Sequence, residues 1–164
     1  MIIAFSGHRP DKLPNKEIGY KIPNPVYNYV YKEIQNNLIS LNPTKIISGM
    51  ALGVDQWAAI IAIRLKIPFV AVIPFEGQEL NWTVKSQKIY NQLLSHASEK
   101  IIVCPGGYAA NKMQIRNEYM VDNCDTLIAI YNGDKTGGTA NCVNYAKNLN
   151  KKIIYIDPTK APNI

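Results

Sequence analysis

The chain has 164 residues, a size at which one hydrophobic core is comfortable and two are not, so one domain over residues 1–157 with an irregular tail at 158–164 is expected. Hydrophobic residues make up 47% and charged residues 18%, with the glycines and prolines scattered, which excludes disordered, collagen-like and low-complexity chains. The net charge of +6 leaves room for an anionic partner, although the basic and acidic residues are spread along the whole length.

The first predicted element is a strand, Ile2–Ser6. No basic region precedes it, so it reads as a strand and not as a signal peptide. A helix over Pro25–Leu41 follows, with Val26, Val30, Ile34 and Leu38 forming a one-sided stripe at every fourth residue. Next come a strand at Lys45–Ser48 and a helix at Val54–Leu65, apolar nearly all round and therefore deeply buried. The strand Phe69–Ile73 lies in one of the longest apolar runs, residues 67–74, which is far short of the roughly 20 residues that span a bilayer. A helix at Trp82–Ala97 places Trp82, Ile89, Leu93 and Ala97 on one side. The remaining elements are a strand at Lys100–Cys104, a helix at Ala110–Asn123, a strand at Thr126–Tyr131, a helix at Gly138–Leu149 and a strand at Lys152–Ile156. The strands are rich in Ile and Val without alternation, as strands covered on both faces are. Strand and helix in strict alternation predict an α/β, Rossmann-like three-layer sandwich: a mostly parallel sheet with helices on both faces. Cys104, Cys124 and Cys142 are an odd number without close pairing, so free thiols and a soluble, cytoplasmic protein are expected.

In open parallel sheets, ligands bind beyond the carboxyl ends of the strands, where the strand order reverses. Three loops leaving such ends carry the chemistry. In Ser6-Gly7-His8-Arg9-Pro10, Gly7 allows a tight turn and Arg9 offers a forked cation for phosphate or carboxylate; a plain turn with a solvated Arg9 and a polar filler at His8 is the alternative. In the segment from Ser48 to Asp55, the small residues Gly49, Ala51 and Gly53, with Met50 and Val54 between them, let a phosphate or ribose approach a helix N-terminus. Asp55 either caps that helix or accepts from a ribose hydroxyl. In Thr136-Gly137-Gly138-Thr139, paired glycines before a hydroxyl at a helix start form an anion cradle. Met113, Arg116, Asn117 and Met120 share one helix face, so a polar pair interrupts an apolar stripe and points to a cleft. The loop from Pro74 to Trp82 adds Gln78 and Trp82, the latter either stacking on a base or packing in the core, and Tyr108 invites a similar reading. His8 and His96 have no nucleophile beside them, and metal and Walker motifs are absent, so neither a metal nor a cofactor is expected. Glu76, Glu118 and Asp122 are the carboxylates placed near the cleft.

Taken together, SGHRP, SGMALGVDQWAA, RNEYMVDNCD and GGTANCVNYA resemble the SLOG superfamily of Rossmann-like proteins, within it the small YpsA-like group. The segment from Ser48 to Asp55 is similar to the SGxAxGxD segment of the DNA-processing protein DprA/Smf, and Arg116-Asn117 matches its downstream RN pair. Gly137-Gly138-Thr139 resembles the PGGxGTxxE signature of the LOG phosphoribohydrolases, but Thr136 replaces the proline and Cys142 stands where LOG enzymes carry their catalytic Glu. The resemblance implies a small nucleotide or ADP-ribose-like ligand held in the cleft by a sensor or sequestering protein, with a homodimer expected. Arg9 and the helix N-termini at Gly53 and Gly138 would hold phosphates, Asp55 a ribose hydroxyl, and Arg116-Asn117 the far side. Two alternatives stand: an N-glycosidase acting on a nucleotide, with Glu76 or Glu118 replacing the missing Glu, and a DprA-like binder of single-stranded DNA.

Overall fold

The computed structural model describes residues 1–20 and 23–164. Among them, β1 (Ile2–Gly7), β2 (Lys45–Ser48), β3 (Phe69–Ile73), β4 (Glu99–Ile102), β5 (Thr126–Ile130) and β6 (Lys152–Ile156) form one sheet in the order β4-β3-β2-β1-β5-β6. Every pairing is parallel, so the sheet expected to be mostly parallel is wholly so among the described residues. The strands alternate with α1 (Pro25–Leu41), α2 (Val54–Arg64), α3 (Val84–Leu94), α4 (Ala110–Asp122) and α5 (Gly137–Asn148). The Rossmann-like α/β sandwich is the fold found.

The pleat sends successive side chains to opposite faces, and each face has its own core. Ile3 and Phe5 of β1, with Phe69, Ala71 and Ile73 of β3, pack under α1, α2 and α3. Ala4, Val70, Val72 and Leu127 pack under α4 and α5, against Met120, Val121, Cys142 and Ala146. The stripe Val26, Val30, Ile34 and Leu38 on α1 is fully buried, which is worth about 1.5–3 kcal/mol for each side chain. Asn24 starts that helix: its Oδ1 accepts from the N–H groups of Val26 at 2.9 Å and Tyr27 at 3.2 Å, ahead of a proline whose missing N–H costs nothing at the first helical position.

The edges and one helix start differ from expectation. β4 is not covered on both faces; Glu99, Lys100 and Ile102 are exposed, because β4 ends the sheet and α4 lies over β1 and β3. Charged side chains suit an edge strand, where they discourage pairing with another chain. α3 begins at Val84 and not at Trp82, since the Thr83 hydroxyl oxygen accepts from the Ser86 N–H at 3.2 Å and caps the helix there. Within it, Tyr90 and Leu93 face the core and Ile89 is exposed. The tail expected to be irregular contains a short 3-10 turn at Pro158–Lys160, capped by Asp157, and Ala161 packs into the core beneath α1. No described helix is long and apolar enough to cross a membrane.

Candidate functional site

The strand order reverses at β1. From there the chain winds outward through β2, β3 and β4, then returns to β5 on the other flank of β1. The loops after β1 and β5 therefore diverge to opposite faces and leave a crevice between them. A cleft of about 410 Å³ opens there, lined by the loop after β1, the start of α2, one side of α4, the loop after β5 and the start of α5. At its base α2 approaches β1 closely. A Cβ on Gly7 would lie 2.8 Å from the Val54 Cβ, so the glycine at this position is what seats α2 against the strand.

Arg116 projects from α4 to the cleft floor, where it is 5% exposed. Its Nη1 donates to the Gly49 carbonyl at 2.6 Å and its Nε to Asn117 Oδ1 at 2.8 Å. No carboxylate of the described residues lies within 4.0 Å of the guanidinium; the ion pair among them joins Lys100 and Glu76 on the surface. Asp55, the acid facing it across Gly49, is buried too, and its Oδ2 accepts from the Ala51 N–H at 3.2 Å. Burial pushes the Asp55 carboxyl up, against the opposing pull of Arg116, the Ala51 N–H and Arg9. Burial likewise lowers the Arg116 guanidinium more than Asp55 raises it. Both groups thus sit where desolvation outweighs their mutual attraction.

This arrangement has a pH signature. The native state favours the neutral Asp55, so it holds a proton from the usual aspartate value of 3.8 up to the raised native one. Stability therefore falls as pH rises through that window and stays reduced above it. Asp55→Asn, whose amide oxygen still accepts from Ala51, is expected to flatten that slope and to melt above the wild type at neutral pH. Melting curves across the acid range check it, and a variant that melts lower at every pH would contradict the assignment.

The opposite wall is the start of α5. Thr136 occupies the cap position but does not cap; its hydroxyl donates to Asp134 Oδ1 at 2.8 Å, and its N–H donates to the same oxygen at 3.0 Å. These two bonds hold the Asp134 carboxyl below its usual range. The first-turn N–H groups of α5 are left without a side-chain acceptor. Gly137 has φ +90, a conformation that favours glycine, and a Cβ on Gly137 or Gly138 would meet nothing within 4 Å. Thr139 is buried beneath them. His8 ties the two loops together, its Nε2 lying 3.0 Å from Asn132 Oδ1.

Of the residues singled out in the sequence, Ser6, Gly7, His8, Arg9, Ala51, Asp55, Arg116, Asn117, Gly137, Gly138 and Thr139 line this one cleft. Gly49 and Gly53 shape its floor from beneath, Gly53 as the φ +91 residue at the start of α2. Met50 and Val54 do not line the cleft: both side chains are buried in the core, and Met50 takes φ +58. Gln78 and Trp82 line a neighbouring depression of about 600 Å³. Met120 is core, not cleft. Glu118 accepts from Gln114 outside the cleft, and Glu76 lines the neighbouring depression, paired with Lys100. Neither glutamate lines the cleft, whose carboxylates are Asp11, Asp55 and Asp134. Cys142, at that Glu's position, is a buried thiol pushed up to about 11, first by burial, so it is neutral and no nucleophile. Asn132 and Asp134 were missed, although Asn132-Gly133-Asp134 is a cluster of turn-forming residues directly after a strand at the reversal point.

The sequence model of the YspA SLOG family matches residues 3–160. An uncharacterized SPbeta prophage-derived protein of Bacillus subtilis strain 168, YoqJ, is 35% identical over 130 residues, covering 70% of this chain and 75% of its own. Among solved structures, DNA processing protein A of Streptococcus pneumoniae superposes with TM-score 0.65 and 18% identity over 94% of this chain, which spans 50% of that protein's length. DNA processing protein A of Helicobacter pylori, solved for its single-stranded DNA binding mode, superposes with TM-score 0.62 and 18% identity, covering 96% of this chain and 65% of that one. At such identity the likeness is one of fold.

Proposed function

The chain belongs to the YpsA group of the SLOG family, and from that premise we propose that its cleft binds the phosphate of a small nucleotide or ADP-ribose-like ligand, as a sensor or sequestering protein. The observation that supports this most is Arg116, a buried guanidinium that hydrogen-bonds the Gly49 carbonyl and Asn117 but no carboxylate of the described residues, facing a cleft whose other wall is an uncapped helix start. A phosphate on that floor would supply a hydrogen-bonded counter-charge, accept from the first-turn N–H groups of α5 and gain from the helix dipole. Arg9, exposed at the rim, closes over it, and Asp55 accepts from a ribose hydroxyl. No glutamate or thiol is set for bond cleavage on the cleft, so binding is the reading favoured over hydrolysis.

Titration calorimetry against nucleoside mono- and diphosphates and ADP-ribose tests it. Gly138→Ala is the informative variant, because its methyl group meets no protein atom and fills the cradle instead. It is expected to leave the melting temperature unchanged and to weaken binding roughly tenfold, a 1.4 kcal/mol penalty. Absence of binding by any ligand of the panel at millimolar concentration would sink the reading. A short single-stranded oligonucleotide belongs in the same titration, given the DNA bound by the Helicobacter neighbour; strand binding predicts an affinity that drops steeply with salt.

A further inference from the structure

The neighbouring depression is continuous with the cleft, since Arg9 and Met113 line both. The two share a deeper link. The Gly49 carbonyl accepts from Arg116 Nη1 on the cleft side and from Gln78 Nε2 on the depression side, at 2.6 and 3.2 Å. One backbone oxygen therefore fixes a polar side chain of each compartment relative to the other.

Gln78 is 7% exposed. Its amide orientation is set by chemistry: Gly49 offers only an acceptor, so the nitrogen faces it and the oxygen points away. Nε2 also reaches the Tyr90 hydroxyl at 3.5 Å, whereas Oε1 has no hydrogen-bond partner among the described residues. Every fully buried side-chain nitrogen or oxygen among those residues is partnered. An oxygen without a partner is thus open to the depression that Gln78 lines, as an acceptor awaiting a donor.

Aromatic rings stand around it. Trp82 packs edge-on against Tyr90 with centroids 5.4 Å apart, and Phe75 against Tyr108 at 5.8 Å. Tyr108 is 71% exposed, so that T-shaped contact leaves a ring face free. The ring is nonetheless held in place, for Lys112 Nζ donates to the Pro105 and Gly107 carbonyls at 2.5 and 2.6 Å and so fastens the loop that carries it.

We propose that this depression is the base subsite of the ligand whose phosphate occupies the cleft: a nucleotide whose base donates an N–H to Gln78 Oε1 and stacks on Tyr108, with Arg9 between the two compartments. The proposal rests on the nucleotide reading above. Its chemistry is common to a free nucleotide and to one residue of a single strand.

Titration calorimetry on the full chain separates these cases, using ribose 5-phosphate, nucleoside 5′-monophosphates and a short single-stranded oligonucleotide with the wild type, Tyr108→Ala and Tyr108→Phe. The monophosphates are expected to bind roughly tenfold tighter than ribose 5-phosphate, an advantage lost in Tyr108→Ala and kept in Tyr108→Phe, as base–aromatic stacking requires. Ribose 5-phosphate itself is expected to bind all three proteins equally. An oligonucleotide that binds tighter than the monophosphates with the same Tyr108 dependence identifies a strand as the source of the base; one that binds more weakly identifies a free nucleotide. If the monophosphates and ribose 5-phosphate bind equally, or if Tyr108→Ala leaves their ratio unchanged, the base subsite is overturned while the phosphate reading stands. If ribose 5-phosphate fails to bind but the Tyr108-dependent preference for nucleotides holds, the phosphate reading fails and the subsite stands.

Discussion

Alanine at position 49 is expected to cost the fold about 3 kcal/mol, at the upper end of the usual penalty for overpacking, and to remove ligand binding with it. The added Cβ would lie 2.6 Å from Arg116 Cζ and 2.7 Å from Asp55 Oδ2, distances no carbon keeps with its neighbours. Neither neighbour is a loose tip. The guanidinium is held by Gly49 and Asn117, and the carboxylate by the Ala51 N–H. Relief requires driving a buried charge off its partners, or shifting the start of α2 away from the end of β2. Denaturant unfolding measures the cost. The double variant Gly49→Ala/Arg116→Ala vacates half of the clash, so its loss is expected to fall short of the sum of the single losses. Wild-type stability for Gly49→Ala, or strict additivity in the double variant, would show that the contact has been misjudged.

Gly49 is a glycine for a reason other than the one its size suggests in the sequence. The small residues at 49, 51 and 53 are legible in the sequence as room for a ligand to approach the backbone. In the structure that room at Gly49 is filled from within, by the protein's own Arg116 and Asp55. What a ligand meets is the charge that the glycine admits. No local pattern discloses this, because Gly49 and Arg116 are 67 residues apart and meet only once the fold has brought the end of β2 beside the middle of α4. Met50 and Val54, neighbours of these residues in sequence, have side chains that complete the core.

The fold was legible wherever burial is periodic. The α1 stripe and the all-round apolar α2 carry their environment in their residue spacing, and both are buried as that spacing requires. Legibility failed where the environment is set by the end of an array. β4 reads like an inner strand, yet the strand order makes it an edge, and only topology decides which strand is last. α3 failed through its anchor: Trp82 precedes the Thr83 cap and is no part of the helix, whose buried face runs through Tyr90 and Leu93 and leaves Ile89 exposed. The crevice was located by the general rule for open parallel sheets, and its division into two compartments bridged by one carbonyl was not, since that depends on the rotamers of Arg116 and Gln78.

Replacing Arg116 with methionine is expected to weaken phosphate-ligand binding at least 100-fold while changing stability by no more than about 1 kcal/mol. Two charge-assisted hydrogen bonds from a desolvated guanidinium to a phosphate contribute about 1.5–3 kcal/mol each, and 100-fold is about 2.7 kcal/mol. Stability is nearly spared because opposing effects meet at this residue. Methionine retains most of the packing volume and removes the desolvation penalty of a buried charge to which no carboxylate is hydrogen-bonded. It forfeits the bond to Gly49, but the Gly49 carbonyl still accepts from Gln78 Nε2, so no buried acceptor is orphaned. Asp55 loses an opposing charge and becomes still easier to protonate, which spreads its pH-dependent loss of stability to higher pH. Arg116→Lys keeps the charge on a shorter, single-headed stem that cannot serve Gly49 and a phosphate together, so its affinity is expected between those of the wild type and the methionine variant. Melting curves and titrations on the same preparations decide the matter. A large stability loss with affinity per folded molecule intact would make Arg116 a structural residue only, and the cleft would lose its claim to an anion.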